Sequence, residues 1–248
     1  MRKDGSEFPL EFALSSWESR EEKFFTGIIH DITERKKAQE ELQSSLEKLR
    51  TALGGTIQVL ATTVETRDPY TAGHQQRVAD LARTIATEIG LPQEEIDGIR
   101  MAGIIHDLGK LMVPAEILSK LEKITSIEFN LIKTHPVVGY EILKNIDFPW
   151  PVADMVQQHH ERLDGSGYPV GIMRSEILMG AKILAVADVV ESMASDRPYR
   201  PALGVETAID EIVKNKGILY DTDVVDACVS CIIEKGYQLK EAENSMTV

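Results

Sequence analysis

Apolar residues recur at every second position near the start of the chain and at every third or fourth position thereafter. In EFPLEFALS, Phe8, Leu10, Phe12 and Leu14 fall on one face, after the turn signal Asp4-Gly5, and in KFFTGIIHDI the residues Phe24, Ile28 and Ile32 do the same. This predicts a two-stranded hairpin, and because an isolated hairpin is marginal the chain is expected to begin inside a domain. From Thr33, read as an N-cap, the period changes. Ala38, Leu42, Leu46, Leu49, Leu53, Ile57, Leu60 and Val64 then follow in steps of three or four between charged flanks. That spacing fits the seam of a parallel dimer, with a single amphipathic helix lying on its own domain as the alternative.

Helix follows helix from there to about Gly236. TAGHQQRVADLARTIATEIG carries Val78, Leu81, Ile85 and Ile89 on one stripe and ends at Gly90, a natural C-cap. LPQEEIDGIRMAGIIHDLGK has Pro92 near a helix start, with Ile96, Ile99, Met101, Ala102, Ile104 and Ile105 behind it. Segments around SIEFNLIKTH, PVVGYEILKNI and PVADMVQQHHERL read the same way. ILMGAKILAVADVVESMAS is the most apolar of all, and two shorter helices follow. The fold class expected is mainly α: a helical bundle of about 180 residues, preceded by a short β-hairpin and a long connecting helix.

Composition narrows the function. The 248 residues and 43% hydrophobic content exclude a disordered chain, and the net charge of -13 argues against coating nucleic acid or a membrane surface. No apolar run is long enough to span a bilayer or serve as a signal peptide, so a cytoplasmic, reduced setting is expected. Cys228 and Cys231 have C-x-x-C spacing, but they sit in the apolar stretch DVVDACVSCII with no second pair. A core helix is the reading preferred there over a redox or metal motif.

The histidines and aspartates carry the chemistry. His106 and Asp107 lie side by side after two isoleucines near the end of a largely apolar helix. Desolvating both there would cost several kcal/mol, which a divalent metal would offset. Asp188 falls on the apolar side of ILAVADVVESM, where a lone carboxylate needs a metal, an arginine or a helix N-terminus. His159 and His160, read as helical, project about 100° apart and can serve two metals, a metal and substrate, or one ligand and one packing position. His135 precedes Pro136 at a helix terminus, and His74 follows Gly73 at a helix start. Neither is distinctive alone, and His30 lies in a strand. Imidazole and carboxylate without thiolate suit iron, manganese or zinc. Five histidines and two aspartates exceed the needs of one metal, whereas two metals about 3.5 to 4 Å apart suit phosphoester hydrolysis. Lys110 shares the face of His106 and Asp107 if the turn stays helical through Gly109, and Arg197 and Arg200 follow the Asp188 helix as phosphate-binding candidates or as ordinary helix C-terminal cations.

Taken in order, GHQQRV, HDLGK, THP, HHERLDGSGYP, ILAVADV and SDRPYR resemble an HD-GYP domain, a subgroup of the HD-domain metal-dependent phosphohydrolases, over about Ile57 to Tyr237. The resemblance implies hydrolysis of cyclic di-GMP to pGpG or GMP, with the mixed cyclic GMP-AMP dinucleotide as the substrate of some members. It implies metal ligands at His106, Asp107, His135, His159, His160 and Asp188, with Asp107 bridging two ions, and a scissile phosphate bound by Lys110. Arg197 and Arg200 would face the substrate. Gly167, Tyr168 and Pro169 would form the signature loop, which the resemblance also implies meets a partner of the cyclic di-GMP synthase class. Members with a third metal carry a glutamate four residues before the histidine that is His74 here; this chain has Tyr70 instead. Two divalent metals are therefore expected, iron or manganese first and zinc, nickel or cobalt as alternatives, with His74 completing one of them or standing behind it.

RKDGSEFPLEFALS and FTGIIHDITERKKAQEEL similarly resemble the end of a PAS sensor domain. The expected organisation is residues 1–33 as that fragment, 34–56 as a coiled-coil linker giving a homodimer, and 57–240 as the phosphodiesterase. The expected mechanism is in-line attack by a metal-bridging hydroxide, with Lys110 as a fixed positive donor. The competing readings are a catalytically silent receptor for cyclic dinucleotides or partner proteins, and a hydrolase of other nucleotides in the wider HD group.

Overall fold

The computed structural model describes residues 5–19, 22–67, 73–120, 122–195 and 201–239. By contacts it divides into two compact units, Met1–Thr56 and Ile57–Val248. In the first, β1 (Leu10–Ser19) and β2 (Glu22–Asp31) pair antiparallel from Leu10↔Asp31 to Ser19↔Glu22. Phe12 opposes Ile29, and the rings of Trp17 and Phe24 stack at 4.6 Å, a cross-strand pairing that suits aromatic residues. Phe8 and Ile32, expected in the alternation, lie just outside the two strands.

α1 (Thr33–Arg67) follows directly. Thr33 is its first helical residue and not its cap: the Asp31 carboxylate accepts the Thr33 backbone N–H at 3.0 Å, so the capping acceptor lies two residues earlier. Along the helix, Leu42, Leu46, Leu49 and Leu53 are exposed. Ala61 and Val64, past the boundary into the second unit, are buried in its core.

The second unit is built of helices around a main apolar core, with a small second cluster at Leu163, Ile177 and Ala181. α2 (His74–Ile89) buries Val78, Leu81 and Ile85, the stripe its period predicts, and ends at Gly90, whose φ of 83° closes the last turn. α3 (Gln93–Ile105) begins after Pro92 and buries Ile96, Ile99, Ala102 and Ile105. Five residues, Leu108–Met112, then form a tight 3-10 turn. Short helices follow: α4 (Ala115–Leu118), α5 (Ser126–Ile132), α6 (His135–Leu143) and α7 (Val152–Gln158). α8 (Met179–Ala194) is the central element, burying Ile183, Leu184, Val186, Ala187 and Val190. Burying each of the Ile, Leu and Val side chains contributes about 1.5–3 kcal/mol, and in so apolar a setting a carboxylate on the same helix is expensive to desolvate. α9 (Val205–Lys214) and α10 (Thr222–Val229) complete the bundle, and a π-helical turn, Ser230–Glu234, extends α10. Cys228 and Cys231 are both buried free thiols in this last segment, and burial pushes the Cys228 thiol up to about 12.

Candidate metal centre

Three histidines are set at helix ends in the same way. His106 follows α3, His159 follows α7, and His135 stands three residues beyond the end of α5. Each ring donates from Nδ1 to the carbonyl three residues back: Gly103 at 2.7 Å, Val156 at 2.6 Å and Ile132 at 2.8 Å. Those carbonyls belong to last turns, where backbone acceptors lack helical partners. A carbonyl only accepts, so the proton is fixed on Nδ1 and each Nε2 turns a lone pair inward.

The inward atoms converge. Nε2 of His106 is buried and has no hydrogen-bond partner among the described residues. Nε2 of His135 and of His159 lie 3.3 Å apart with no proton left to share, an arrangement that a cation between donors would relieve. Burial lowers the His135 pKa to about 4, with Asp107 opposing, and burial, with His106 and His135 adding to it, holds His159 well below its ordinary value. Both rings are therefore neutral near pH 7, the form that ligates a metal.

Asp107, at the junction of α3 and the 3-10 turn, divides its two oxygens. Oδ1 lies 3.4 Å from His135 Nε2, whereas Oδ2 lies 3.5 Å from His106 Nε2, 3.8 Å from His74 Nε2 and 2.6 Å from Lys110 Nζ. Burial raises its pKa, but Lys110 and the surrounding imidazoles outweigh that and hold the carboxyl well below the usual range. Gly109 makes the junction possible. A Cβ there would lie 1.9 Å from the His135 carbonyl oxygen, so only glycine lets this turn press against the start of α6.

α8 supplies Asp188, buried as its position in an apolar helix predicts, with Oδ1 3.4 Å from His74 Nε2 and Oδ2 3.9 Å from His160 Nδ1. Three overlapping sets of donors result: His74, His106 and Asp188; His135, His159 and His160; and His106, Asp107 and His159, with the atoms of each set within 4.8 Å of one another. The structure thus gathers all seven expected ligand residues into one cluster. The helical reading of the histidine pair needs correction, since α7 ends at Gln158. His159 is its C-cap, and His160 lies in the following turn, their rings 4.1 Å apart. His135 stands at a helix terminus as expected: it opens α6, with Pro136 in the first turn, where proline has no N–H to waste.

The signature loop packs on this cluster without entering it. The Tyr168 ring stacks on His160 at 4.6 Å, and its backbone N–H donates to the His160 carbonyl at 3.2 Å. Gly167 lies against Glu161, where a Cβ would meet the Glu161 Cα at 2.5 Å, and the peptide from Tyr168 to Pro169 is cis. Glu161 is buried and its carboxylate accepts the N–H groups of Val170 and Gly171, a structural role consistent with its burial. Arg197, Arg200 and Tyr70 lie outside the described residues.

Two further carboxylates support the cluster: Glu191, which the sequence did not single out, and Glu65, which stands nine residues before His74 and replaces no expected ligand. Glu191, inaccessible to solvent, faces Nδ1 of His74 and also accepts from Arg77 Nε at 2.7 Å and Ser195 Oγ at 2.8 Å. Glu65 accepts from the N–H groups of Gly73 and Gln75 at 3.0 and 3.1 Å, capping the helix that begins with His74. Glu191 stands three residues after Asp188 on the same apolar helix, so the burial argument applied to Asp188 could have found it.

A family profile described as HD domain matches residues 58–224. The chain is 37% identical over 191 residues to the cyclic di-GMP phosphodiesterase response regulator RpfG of Xanthomonas campestris, covering 76% of this chain and 50% of that protein. It is 31% identical over 194 residues to the 3'3'-cGAMP-specific phosphodiesterase 3 of Vibrio cholerae, covering 78% and 42% respectively. The chain therefore spans half or less of the length of these curated relatives. Among solved structures it is similar to the HD domain of the Listeria monocytogenes phosphodiesterase PgpH in complex with cyclic-di-AMP. That match has a TM-score of 0.53 at 19% identity over 73% of this chain and 99% of that one, a likeness of fold.

Proposed function

The chain belongs to the HD-domain family, and from that premise we propose that it is a metal-dependent phosphodiesterase that hydrolyses cyclic di-GMP to pGpG or GMP. The observation that carries this reading is the Asp107 carboxylate, one oxygen toward His135 and the other toward His106, His74 and the Lys110 ammonium. His74, His106 and Asp188 would hold one divalent ion, His135, His159 and His160 a second, and Asp107 would bridge them; iron or manganese suits this donor set. When bound, such a pair supplies an activated water and absorbs charge on phosphoryl oxygens.

The chain itself does the rest. Backbone carbonyls fix the tautomers of His106, His135 and His159, and Glu191 faces Nδ1 of His74, so these four imidazoles need not reorient before ligating. Burial keeps His135 and His159 neutral. Lys110, anchored 2.6 Å from Asp107, is a stationary positive donor for a phosphoryl oxygen of the substrate. Residues 57–240 form the catalytic part in this reading. Residues 1–33 are the end of a PAS sensor, residues 34–56 a dimerising linker, and the Gly167–Pro169 loop a surface for a cyclic di-GMP synthase-class partner.

Cyclic GMP-AMP is the second substrate to consider, because three relatives are named for it. The test is Asp107→Ala assayed with metal-replete protein, following pGpG and GMP release by chromatography for both dinucleotides. Loss of product formation is expected. Turnover at the wild-type rate would refute the bridging role, and binding without any product from the wild type would favour a silent receptor.

A further inference from the structure

Lys133 is a cation beside the site to which no role has been given. It is the C-cap residue of α5, two positions before His135. Its ammonium lies 4.8 Å from the centre of the Phe129 ring and 5.1 Å from that of Tyr168. Tyr168 is the residue whose ring stacks on His160, so Lys133 stands one aromatic ring away from a residue of the metal cluster.

Two lysines nearby are neutralised by carboxylates, Lys110 by Asp107 at 2.6 Å and Lys120 by Glu128 at 2.8 Å. Lys133 has no carboxylate within ion-pairing distance among the described residues. Ring faces attract an ammonium but accept none of its N–H groups in a full hydrogen bond, so the side chain is held in place with its donors still available. On a chain of net charge -13, an anionic ligand needs such local positive charge to be captured.

A cyclic dinucleotide carries two phosphodiesters, and only one can be cleaved at a time. We propose that Lys133 binds the phosphodiester that is not being cleaved, while Lys110 faces the one that is. This assignment rests on the cyclic-dinucleotide reading above. Lys133 is a substrate-binding residue in this scheme and takes no part in bond breaking.

Lys133→Met removes the charge and keeps an apolar chain against Phe129 and Tyr168, whereas Lys133→Arg keeps the charge. Both are compared with wild type on cyclic di-GMP, which has two phosphodiesters, and on bis(p-nitrophenyl) phosphate, which has one. For cyclic di-GMP, Lys133→Met should raise KM roughly 10- to 100-fold, the effect of one charged hydrogen bond, with little change in kcat. It should also weaken the salt dependence of KM. For the single-phosphate ester its kcat/KM should equal that of wild type, and Lys133→Arg should restore most of the lost affinity for cyclic di-GMP. An unchanged KM for cyclic di-GMP, or an equal loss on both esters, overturns the assignment and leaves the parent reading intact. Wild-type protein that cleaves the single-phosphate ester but neither cyclic dinucleotide overturns the parent reading and this assignment together.

Discussion

Replacing Glu191 by alanine tests how the cluster is held in shape. The carboxylate is inaccessible to solvent and faces both Nδ1 of His74 and Nε of Arg77, whose side chain is 14% exposed. Truncation removes the counter-ion of a guanidinium that water reaches poorly. Breaking a buried pair from one side costs about 3–5 kcal/mol, well above the roughly 0–1 kcal/mol of an exposed pair. For a domain of this size 1 kcal/mol is about 2–4 °C, so the metal-free variant should melt roughly 6–20 °C below wild type. His74 also loses the carboxylate that orients its ring, and removing such a partner typically lowers metal affinity about 10- to 100-fold. Calorimetry of the metal-free protein measures the first effect, and manganese titration against a competing chelator measures the second. Glu191→Gln, which keeps the size and one acceptor oxygen, should fall between alanine and wild type in both. A large drop in melting temperature with unchanged metal affinity would refute the orienting role, and no change in either would refute the whole argument.

The parts of this site that were legible in the sequence are those set by local pattern. α2 follows from the spacing of Val78, Leu81 and Ile85 and the stop at Gly90, because helix period and left-handed closure are properties of short segments. Asp188 stands out because a carboxylate amid Ile183, Leu184, Val186 and Val190 needs a partner wherever it folds. The end of α7 was not legible, since no glycine or proline marks it before Gly165. The turn is imposed by contacts that sequence spacing does not display, such as the Leu178 N–H reaching the Gln158 side chain at 2.8 Å. Lys133 was passed over for a similar reason: its ring partner Tyr168 is remote in sequence, and only the fold brings the end of α5 and the signature loop together. The burial of the three helix-end histidines was foreseeable one at a time at best. Their common anchoring to a carbonyl three residues back appears only when helix ends are known to the residue.

Two further perturbations address the protein without and with its metal. In the metal-free protein, burial lowers the His135 pKa to about 4 and holds His159 and His160 well below their ordinary values. Unfolded imidazoles titrate near 6.5, so below that pH the unfolded chain takes up protons that the native cluster excludes. This contribution to stability is complete above about pH 6.5 and is lost as the pH falls toward 4, by up to about 1.4 kcal/mol per pH unit for each such histidine. Urea midpoints should therefore drop between pH 7 and pH 5, and a flat profile would contradict neutral burial. Gly109→Ala places a Cβ 1.9 Å from the His135 carbonyl oxygen and 2.7 Å from the Gly139 nitrogen, both backbone atoms that cannot swing aside. The turn carrying Asp107 and Lys110 must then withdraw from His135, at a cost at or above the usual overpacking range of about 1–3 kcal/mol. Gly55→Ala is the control, since nothing lies within 4 Å of its Cβ position in α1 and alanine favours a helix over glycine by about 1 kcal/mol. Loss of metal binding and hydrolysis in Gly109→Ala, with both retained in Gly55→Ala, is the expected pair of results. Wild-type melting and turnover in Gly109→Ala would show that the close approach at this junction does not hold the Asp107 carboxylate in place.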